Sequence, residues 1–341
     1  RRQLAGELGM VMPPVRIRDN MQLQPNEYHI KIRGNSVAHG QVFPGQFLAM
    51  DSGLASEPLP GTKTKEPAFG LDAVWVEAGQ KQRAESLNYT VVDATSVLAT
   101  HLTEVVKSHA HELLSRQETN NLIEQLKQRV PKLVDEVLGQ ENPLVKPGDL
   151  QKVLQNLLRE RVPVRDLETI VETLGDWAPR TKDLEVLTEY VRNSLRRTIC
   201  NQYVTQDPVA SDGLSDGAFG GNGHASPKLY CVSLDPQMED QIIGYIERGS
   251  EGATMSMPPN VASRITTAIV KELQTLLAAG HQPVVLASPQ VRGQVRRLLE
   301  SNMPQVAVLG YNEVSKGVAV EAVGMATLDS ASNEPTNERM M

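Results

Sequence analysis

The sequence is poor in cysteine, in long apolar runs and in positive charge. Its 341 residues include only Cys200 and Cys231, too few for a disulfide framework and typical of a protein kept in a reducing cytosol. No apolar run approaches the roughly 18–20 residues that span a bilayer, and there is no signal peptide. The net charge of −7 argues against nucleic acid or anionic lipid as a partner. These absences indicate a globular protein, and its length is enough for two to four domains.

The histidines and carboxylates predict no catalytic chemistry. His109 and His111 are two residues apart on a predicted helix, so they point to different sides and do not share an ion easily. His101 lies on the apolar side of a helix, where a histidine is more often a satisfied core or interface residue than a ligand. No histidine and cysteine cluster has zinc spacing, and no carboxylate pair stands apart from ordinary helix-surface charges. We therefore expect no catalytic residues, no metal, no cofactor and no enzyme.

Two glycine-containing stretches come close to functional motifs without matching them. Gly34–Ala38 (GNSVA) lacks the second glycine of a nucleophile elbow and is followed by extended chain rather than by a helix. Gly61–Thr64 (GTKT) lacks the G-K-[ST] run of a phosphate-binding loop and its upstream glycine. Neither stretch predicts a nucleophile or a nucleotide site.

The most regular pattern in the chain is a helical hairpin at 148–178. Asp149 is placed to cap a first helix that Pro163 cannot continue, and Asp166 a second helix that Gly175 would close. A DNA-reading helix-turn-helix needs a basic second helix. The exposed face here carries Asp166, Glu168, Glu172 and Asp176. The hairpin therefore predicts core packing in a helical domain.

Phe69 is conspicuous because the chain has only four phenylalanines. It lies in the loop 51–70, after charged residues and between Pro67 and Gly70. An aromatic side chain in a polar loop either tucks back under the loop or forms part of a binding surface. The residues alone favour the tuck, because aromatic side chains are mostly buried.

In several runs of the sequence, the identity of the residues is more informative than their hydrophobic periodicity. They are MVMPPVRIRDNMQLQPNEYHIKIRG at 10–34, EPAFGLDAVWVE at 66–77, TVVDATSVLATHL at 90–102, KVLQNLLRERVPVRDLETIVETL at 152–174 and TKDLEVLTEYVR at 181–192. In this order they resemble the FlhA (FHIPEP) family, the large export-gate protein of flagellar type III secretion, over about residues 1–325. Members carry a multi-span membrane part upstream. The chain opens on Arg1, so we expect a soluble fragment from the cytoplasmic face of the bacterial inner membrane.

Pattern and resemblance together imply an α+β multidomain fold. The expected parts are a small mixed α/β domain at 1–44 and 94–113, an inserted small β-α-β domain at 45–93, an all-helical domain at 114–200, a flexible loop at 201–228, a C-terminal α/β domain at 229–325 and a disordered tail at 326–341. The pattern predicts extended runs at Val15–Ile17, Tyr28–Arg33 and Val42–Met50. In the last domain it predicts helices at 236–248, 259–279 and 289–301 and strands at 229–234, 283–287, 305–310 and near 317–323.

The resemblance implies a docking platform that does not catalyse a reaction. Family members form a ring, thought to have nine subunits, and receive export chaperones with bound filament-type cargo as well as exported flagellar subunits and other export components. The family's chaperone site is an apolar dimple between the inserted and first domains. Its positions fall here on Glu66, Phe69, Val92, Val97 and Thr100. Glu66 stands where the family commonly has Asp, and with Thr100 it is expected to make polar contacts at the rim.

Two alternatives remain at this point. One is the injectisome relative of the flagellar protein, which shares the fold and the ring. The other is an α/β enzyme with a site between the helical and C-terminal domains.

Overall fold

A computed structural model describes residues 2–51, 53, 55–205, 227–249 and 252–328. Within these ranges the chain contains both helices and sheets, which confirms the prediction of a mixed α and β fold. Its contacts divide it into two compact units, Arg1–Ser115 and Arg116–Met341. Of the helices in the described ranges, none is both long and apolar enough to cross a bilayer.

The first unit combines a hairpin, a four-stranded sheet and several helices. Its elements are α1 Arg2–Leu8, β1 Glu27–Ile32, β2 Asn35–Gln41, β3 Gln46–Met50, β4 Thr62–Lys65, β5 Asp72–Glu77, α2 Lys81–Ser86, β6 Thr90–Asp93, α3 Ala94–Ser108 and α4 Ala110–Leu113. The predicted β-α-β segment is β5-α2-β6. Because β5 and β6 both pair antiparallel with β3, they run parallel to each other with β3 between them, in the order β4-β5-β3-β6.

This sheet is covered on both faces because neighbouring residues of a strand point to opposite sides. Leu48 packs with Trp75 and Val97 in one apolar cluster. The next residue, Ala49, packs with Val76 and Ala84 in another. Helix α3 therefore lies on one face of the sheet and helix α2 on the other.

The hairpin β1-β2 pairs Tyr28 with Gly40 and turns through Arg33 and Gly34, both of which have positive φ, as a two-residue hairpin turn requires. Ser36 is an exposed residue of β2, so the near-miss elbow is a strand. The extended run predicted at Val15–Ile17 is part of no strand. It follows two prolines, which cannot donate to a ladder.

The second unit begins with a group of helices. They are α5 Arg116–Arg129, α6 Pro131–Leu138, α7 Pro147–Arg159, α8 Leu167–Trp177, α9 Leu184–Ser194 and α10 Arg196–Asn201. Asp166 caps α8 as predicted, by accepting a hydrogen bond from the Thr169 amide. Asp149 does not cap α7, which begins at Pro147 after the N-cap residue Lys146. Gly175 does not end α8. It lies inside the helix, where a Cβ atom would come 2.7 Å from Val137 Cγ2, so its small size allows close packing against α6.

The rest of the second unit is built on a parallel sheet. Its elements are β7 Lys228–Leu234, α11 Pro236–Gly244, β8 Ile246–Gly249, β9 Gly252–Met255, α12 Pro259–Ala278, β10 Val284–Ala287, α13 Arg292–Glu300, β11 Ala307–Gly310 and β12 Ala319–Ala326. Strands β11-β10-β7-β12 lie side by side in this order and all run parallel. Helix α12 supplies Ile265, Ile269 and Leu273 to the core against this sheet.

Three predicted boundaries in this unit are wrong. The helix predicted at 236–248 ends at Gly244 and is followed by the hairpin β8-β9. The helix predicted at 289–301 begins at Arg292, after a turn in which the Arg292 amide donates to the Ser288 carbonyl. The loop predicted at 201–228 is ordered at both ends, since α10 reaches Asn201 and Thr205 pairs with Lys228. Residues 206–226 and 329–341, with most of the predicted tail, lie outside the described residues.

Candidate functional site

The loop between β4 and β5 closes on itself and presents Phe69. The Glu66 amide donates to the Leu71 carbonyl at 2.8 Å, and the Gly70 amide donates to the Glu66 carbonyl at 2.9 Å. Gly70 has φ +73°, a conformation that favours glycine. The side chain of Phe69 is 51% exposed and that of Leu71 is 44% exposed. Phe69 is therefore not tucked under the loop, and a second apolar side chain lies exposed two residues further on.

Glu66 lies beneath this loop and not at its rim. It is buried, and its carboxylate accepts hydrogen bonds from the amide of Ala68 at 3.0 Å and from the amide of Phe69 at 2.6 Å. These bonds offset the cost of burying a charge. The rim contact expected of Glu66 is wrong for this reason. Its position instead allows it to fix the backbone of Phe69.

The other three predicted site residues differ in exposure. Val97 is buried in the cluster with Leu48 and Trp75, and Val92 is partly buried against the same cluster. Thr100 is exposed on α3, one turn after Val97. Val97 therefore belongs to the apolar core of the first unit, whereas Thr100 lies at its surface.

A polar pair that no sequence pattern indicates links β1 to α3. The Tyr28 hydroxyl and the Nδ1 atom of His101 are 2.6 Å apart, and the two rings meet edge to face. His101 is buried and Tyr28 half-buried. Burial, and then the charge of Glu66, raise the pKa of Tyr28 to about 12. Burial also lowers the pKa of His101, and the charge of Glu66 opposes that shift. Glu66 thus acts on both members of the pair.

The second unit contains a cavity of about 920 Å³ between its helices and its parallel-sheet part. Two charged residues on its lining, the partly buried Glu160 and the buried Arg292, bond to each other at 2.6 and 3.0 Å. Arg292 also bonds to Glu189, and Arg192 bonds to both Glu160 and Glu313. Burial would raise the pKa of Glu160, but Arg192 and Arg292 hold it at about 2. Such mutual pairing is typical of a structural network.

Among the described residues, no group of three or more histidine, cysteine or acidic side chains could hold a metal ion. His109 bonds through Nδ1 to the carbonyl of Val105, on its own helix. The described part of the chain thus offers an exposed aromatic surface in the first unit and a paired charge network in the second.

Comparison with known proteins identifies the family. The model of the FHIPEP family matches residues 1–319. The flagellar biosynthesis protein FlhA of Bacillus subtilis is 41% identical over 328 residues, which are 96% of this chain and 45% of that protein. The chain therefore spans less than half the length of this relative.

Solved structures share the fold. CdsV of Chlamydia pneumoniae superimposes with a TM-score of 0.78 at 27% identity, covering 96% of this chain and 88% of that one. The nonameric EPEC SctV-C, at 22% identity, has a TM-score of 0.71 and covers 95% of this chain and 91% of its own. The resemblance stated from the sequence runs is confirmed, and the chain belongs to the FHIPEP family.

Proposed function

We propose that this chain is the cytoplasmic docking platform of a flagellar type III export gate, and that it binds export chaperones with their filament-type cargo. The observation that supports this most directly is the exposure of Phe69. Phe69 is 51% exposed in a closed, hydrogen-bonded loop, so about half of its apolar surface stays in water and contributes nothing to the fold. Exposed aromatic side chains on fixed backbone are the usual anchors of a protein interface.

The surface fits an amphipathic helix. Phe69 and Leu71 offer two apolar anchors on one loop, and in this proposal the exposed Thr100 adds a hydroxyl for a polar contact. An amphipathic helix binds by placing apolar side chains into such a patch and polar ones around it. Glu66, Val92 and Val97 hold the patch in place in this proposal.

The wider setting belongs to the same proposal. The subdivision into an inserted domain at 45–93, a helical domain at 114–200 and a C-terminal domain at 229–325 is part of it, as is attachment to a membrane part of the full protein. Self-association into a ring is supported by the nonameric assembly of EPEC SctV-C, which has the same fold. The flagellar role is favoured over the injectisome role because the chain is 41% identical to the flagellar biosynthesis protein FlhA of Bacillus subtilis and 36% identical to that of Escherichia coli.

The enzyme alternative receives less support. The cavity of the second unit has the position that this alternative requires, between helices and sheet. Its buried Arg292 and the partly buried Glu160, however, are bound to each other and to neighbouring charges. Charged side chains that are already paired with each other are poor candidates for binding a substrate or transferring a proton.

The proposal is tested by titrating the purified chain with the chaperone–cargo complex of the same bacterium. We expect Phe69→Ala to lower the affinity at least tenfold, because truncation of a central aromatic anchor costs about 2 kcal/mol or more. Tyr311→Ala is the matched control, because Tyr311 is also an exposed aromatic (49%) but lies in the second unit. Equal binding by Phe69→Ala and wild type, with unchanged melting curves, would refute the proposed site.

A further inference from the structure

Ion pairs between three helices hold the cavity of the second unit in shape. Arg292 on α13 bonds to Glu160 on α7 and to Glu189 on α9. Arg297 and Glu185 form a further ion pair from α13 to α9. The lining is therefore in place before any ligand arrives, which lowers the cost of binding one. The volume of about 920 Å³ is also that of an ordinary ligand site.

Two other polar side chains of α13 lie on the same lining, and each has an atom without a partner. Arg296 is 7% exposed and Gln294 is 6% exposed. The Nη2 atom of Arg296 donates to the Pro304 carbonyl at 3.1 Å, but its buried Nη1 atom has no acceptor among the described residues. The buried Oε1 atom of Gln294 has no donor in the same part of the chain. Such groups cost stability, so a ligand that supplies the missing acceptor and donor gains free energy on binding.

The charge of the lining indicates which kind of ligand fits. The lining carries five basic and five acidic side chains, so it favours neither an anion nor a cation. Arg296 requires a hydrogen-bond acceptor and Gln294 a donor. A polypeptide backbone is uncharged and supplies both, because each peptide unit carries a C=O and an N–H group.

The cavity can be reached from solvent and offers apolar contacts as well. Arg159 and Lys182 are exposed residues of its lining. Val186 is exposed and Ile246 is partly buried on the same lining. A bound segment can therefore pack an apolar side chain against Val186 and Ile246 while its backbone reaches the polar atoms of α13.

We propose that this cavity is a binding site for a short polypeptide segment. A backbone carbonyl of the segment accepts a hydrogen bond from Nη1 of Arg296, and a backbone amide of the segment donates to Oε1 of Gln294. That the segment comes from exported cargo rests on the proposed function, whereas the peptide chemistry of the site does not.

The site is tested with short overlapping peptides that cover the filament-type cargo protein of the same bacterium. Each peptide carries a fluorescent label, and its anisotropy is measured as the purified chain is added. We expect at least one peptide to bind, and Arg296→Met to weaken that binding about tenfold, because one hydrogen bond from a charged donor is lost. Arg196→Met is the control, since Arg196 is an exposed arginine of the same unit outside the lining. It should bind the peptide as wild type does.

The melting temperature distinguishes a ligand site from a structural role. Gln294→Leu replaces a buried amide that lacks a donor by an apolar group of similar shape, so it should raise the melting temperature by about 2–4 °C. The same variant should weaken peptide binding severalfold. A melting temperature that falls in Gln294→Leu would show that the fold already satisfies this amide, and would overturn the proposal. Absence of binding by every peptide, or an affinity that neither Arg296→Met nor Gln294→Leu changes, would overturn it as well.

The cavity site and the proposed docking surface fail separately. If Phe69→Ala binds the chaperone–cargo complex as wild type while a peptide loses affinity in Arg296→Met, the docking surface fails and the cavity site stands. If Phe69→Ala abolishes binding of the complex and no peptide binds the chain, the cavity site fails and the docking surface stands.

Discussion

The Oε2 atom of Glu66 accepts a hydrogen bond from the backbone amide of Phe69 at 2.6 Å. A buried carboxylate thus holds, three residues along the chain, the backbone of a half-exposed aromatic residue. Charge-assisted bonds of this kind are about twice as strong as neutral ones. The relationship explains how a short polar loop keeps Phe69 in one pose, which lowers the entropic cost of binding a partner.

Removing the Glu66 carboxylate should loosen the loop and lower the stability of the first unit. Glu66→Ala leaves the amides of Ala68 and Phe69 without their acceptor, at an expected cost of about 2 kcal/mol. The measurement is urea unfolding. Asp72→Ala is the control, because the Lys65–Asp72 pair is exposed and should contribute less than about 1 kcal/mol. Equal losses for the two variants would contradict the supporting role of Glu66.

Substitutions at Val97 and Thr100 should distinguish a residue that stabilises the first unit from one that contacts the partner. Val97→Ala opens a cavity in the cluster with Leu48 and Trp75 and should cost about 2 kcal/mol of stability. Thr100→Ala changes an exposed side chain and should stay within about 0.5 kcal/mol of wild type. We expect Thr100→Ala to weaken chaperone–cargo binding nevertheless. A Thr100→Ala protein that binds as wild type would remove Thr100 from the site.

The charge network of the second unit should be sensitive to removal of one member. Arg292→Met leaves Glu160 with Arg192 alone and removes the bonds from Arg292 to Glu189, and because Arg292 is buried this should cost about 3 kcal/mol. Arg297→Met, on the same helix, breaks only a half-exposed pair with Glu185 and should cost about 0–1 kcal/mol. Thermal unfolding of both variants checks this, and similar melting temperatures would show that the network is not a structural support.

The stability of the second unit should fall in acid because of Glu160. Its folded-state pKa of about 2 lies below the ordinary value of 4.5, so the unfolded chain binds the proton first. The resulting stabilisation is fully present above about pH 4.5 and is lost as the pH falls towards 2. Urea unfolding at pH 7, 4.5 and 3 should therefore show a smaller acid-induced loss in Glu160→Gln than in wild type. Equal losses in both proteins would exclude this contribution.

Gly175 should be intolerant of a methyl group. In an open helix interior, Gly→Ala stabilises by roughly 1 kcal/mol. At position 175 the new Cβ would lie 2.7 Å from Val137 Cγ2, so we expect a loss of about 1–3 kcal/mol. Gly6→Ala is the control, because nothing lies within 4 Å of its added Cβ. A melting temperature that rises in Gly175→Ala would contradict the close packing of α6 and α8.

Periodicity predicts the long elements of this fold well and the short ones poorly. The helix predicted at 259–279 lies at Pro259–Ala278, because twenty residues carry several turns of apolar pattern. The pattern predicts helix over most of strand β8, because four residues are too few to distinguish a period of 2 from one of 3.6. The sequence predicts a helix stop at Gly175 because glycine ends a helix more often than it makes room for a neighbouring one.

For the candidate site too, local sequence features are predictable and contacts that depend on the fold are not. The sequence singles out Phe69 by its scarcity and its loop, but whether such a side chain is tucked or exposed depends on the fold around it. The burial of Glu66 depends on a turn in which its carboxylate accepts hydrogen bonds from the amides two and three residues further along the chain. The Tyr28–His101 bond joins residues 73 positions apart, and no local pattern reports such a contact.

The central claim is tested most directly by amide hydrogen exchange of the chain with and without a saturating chaperone–cargo complex. The account predicts that binding slows exchange in residues 66–71 and in the turn of α3 around Thr100, and that Phe69→Ala removes this protection. Protection that instead falls on the cavity of the second unit, around Arg292, with residues 66–71 unchanged, would contradict it.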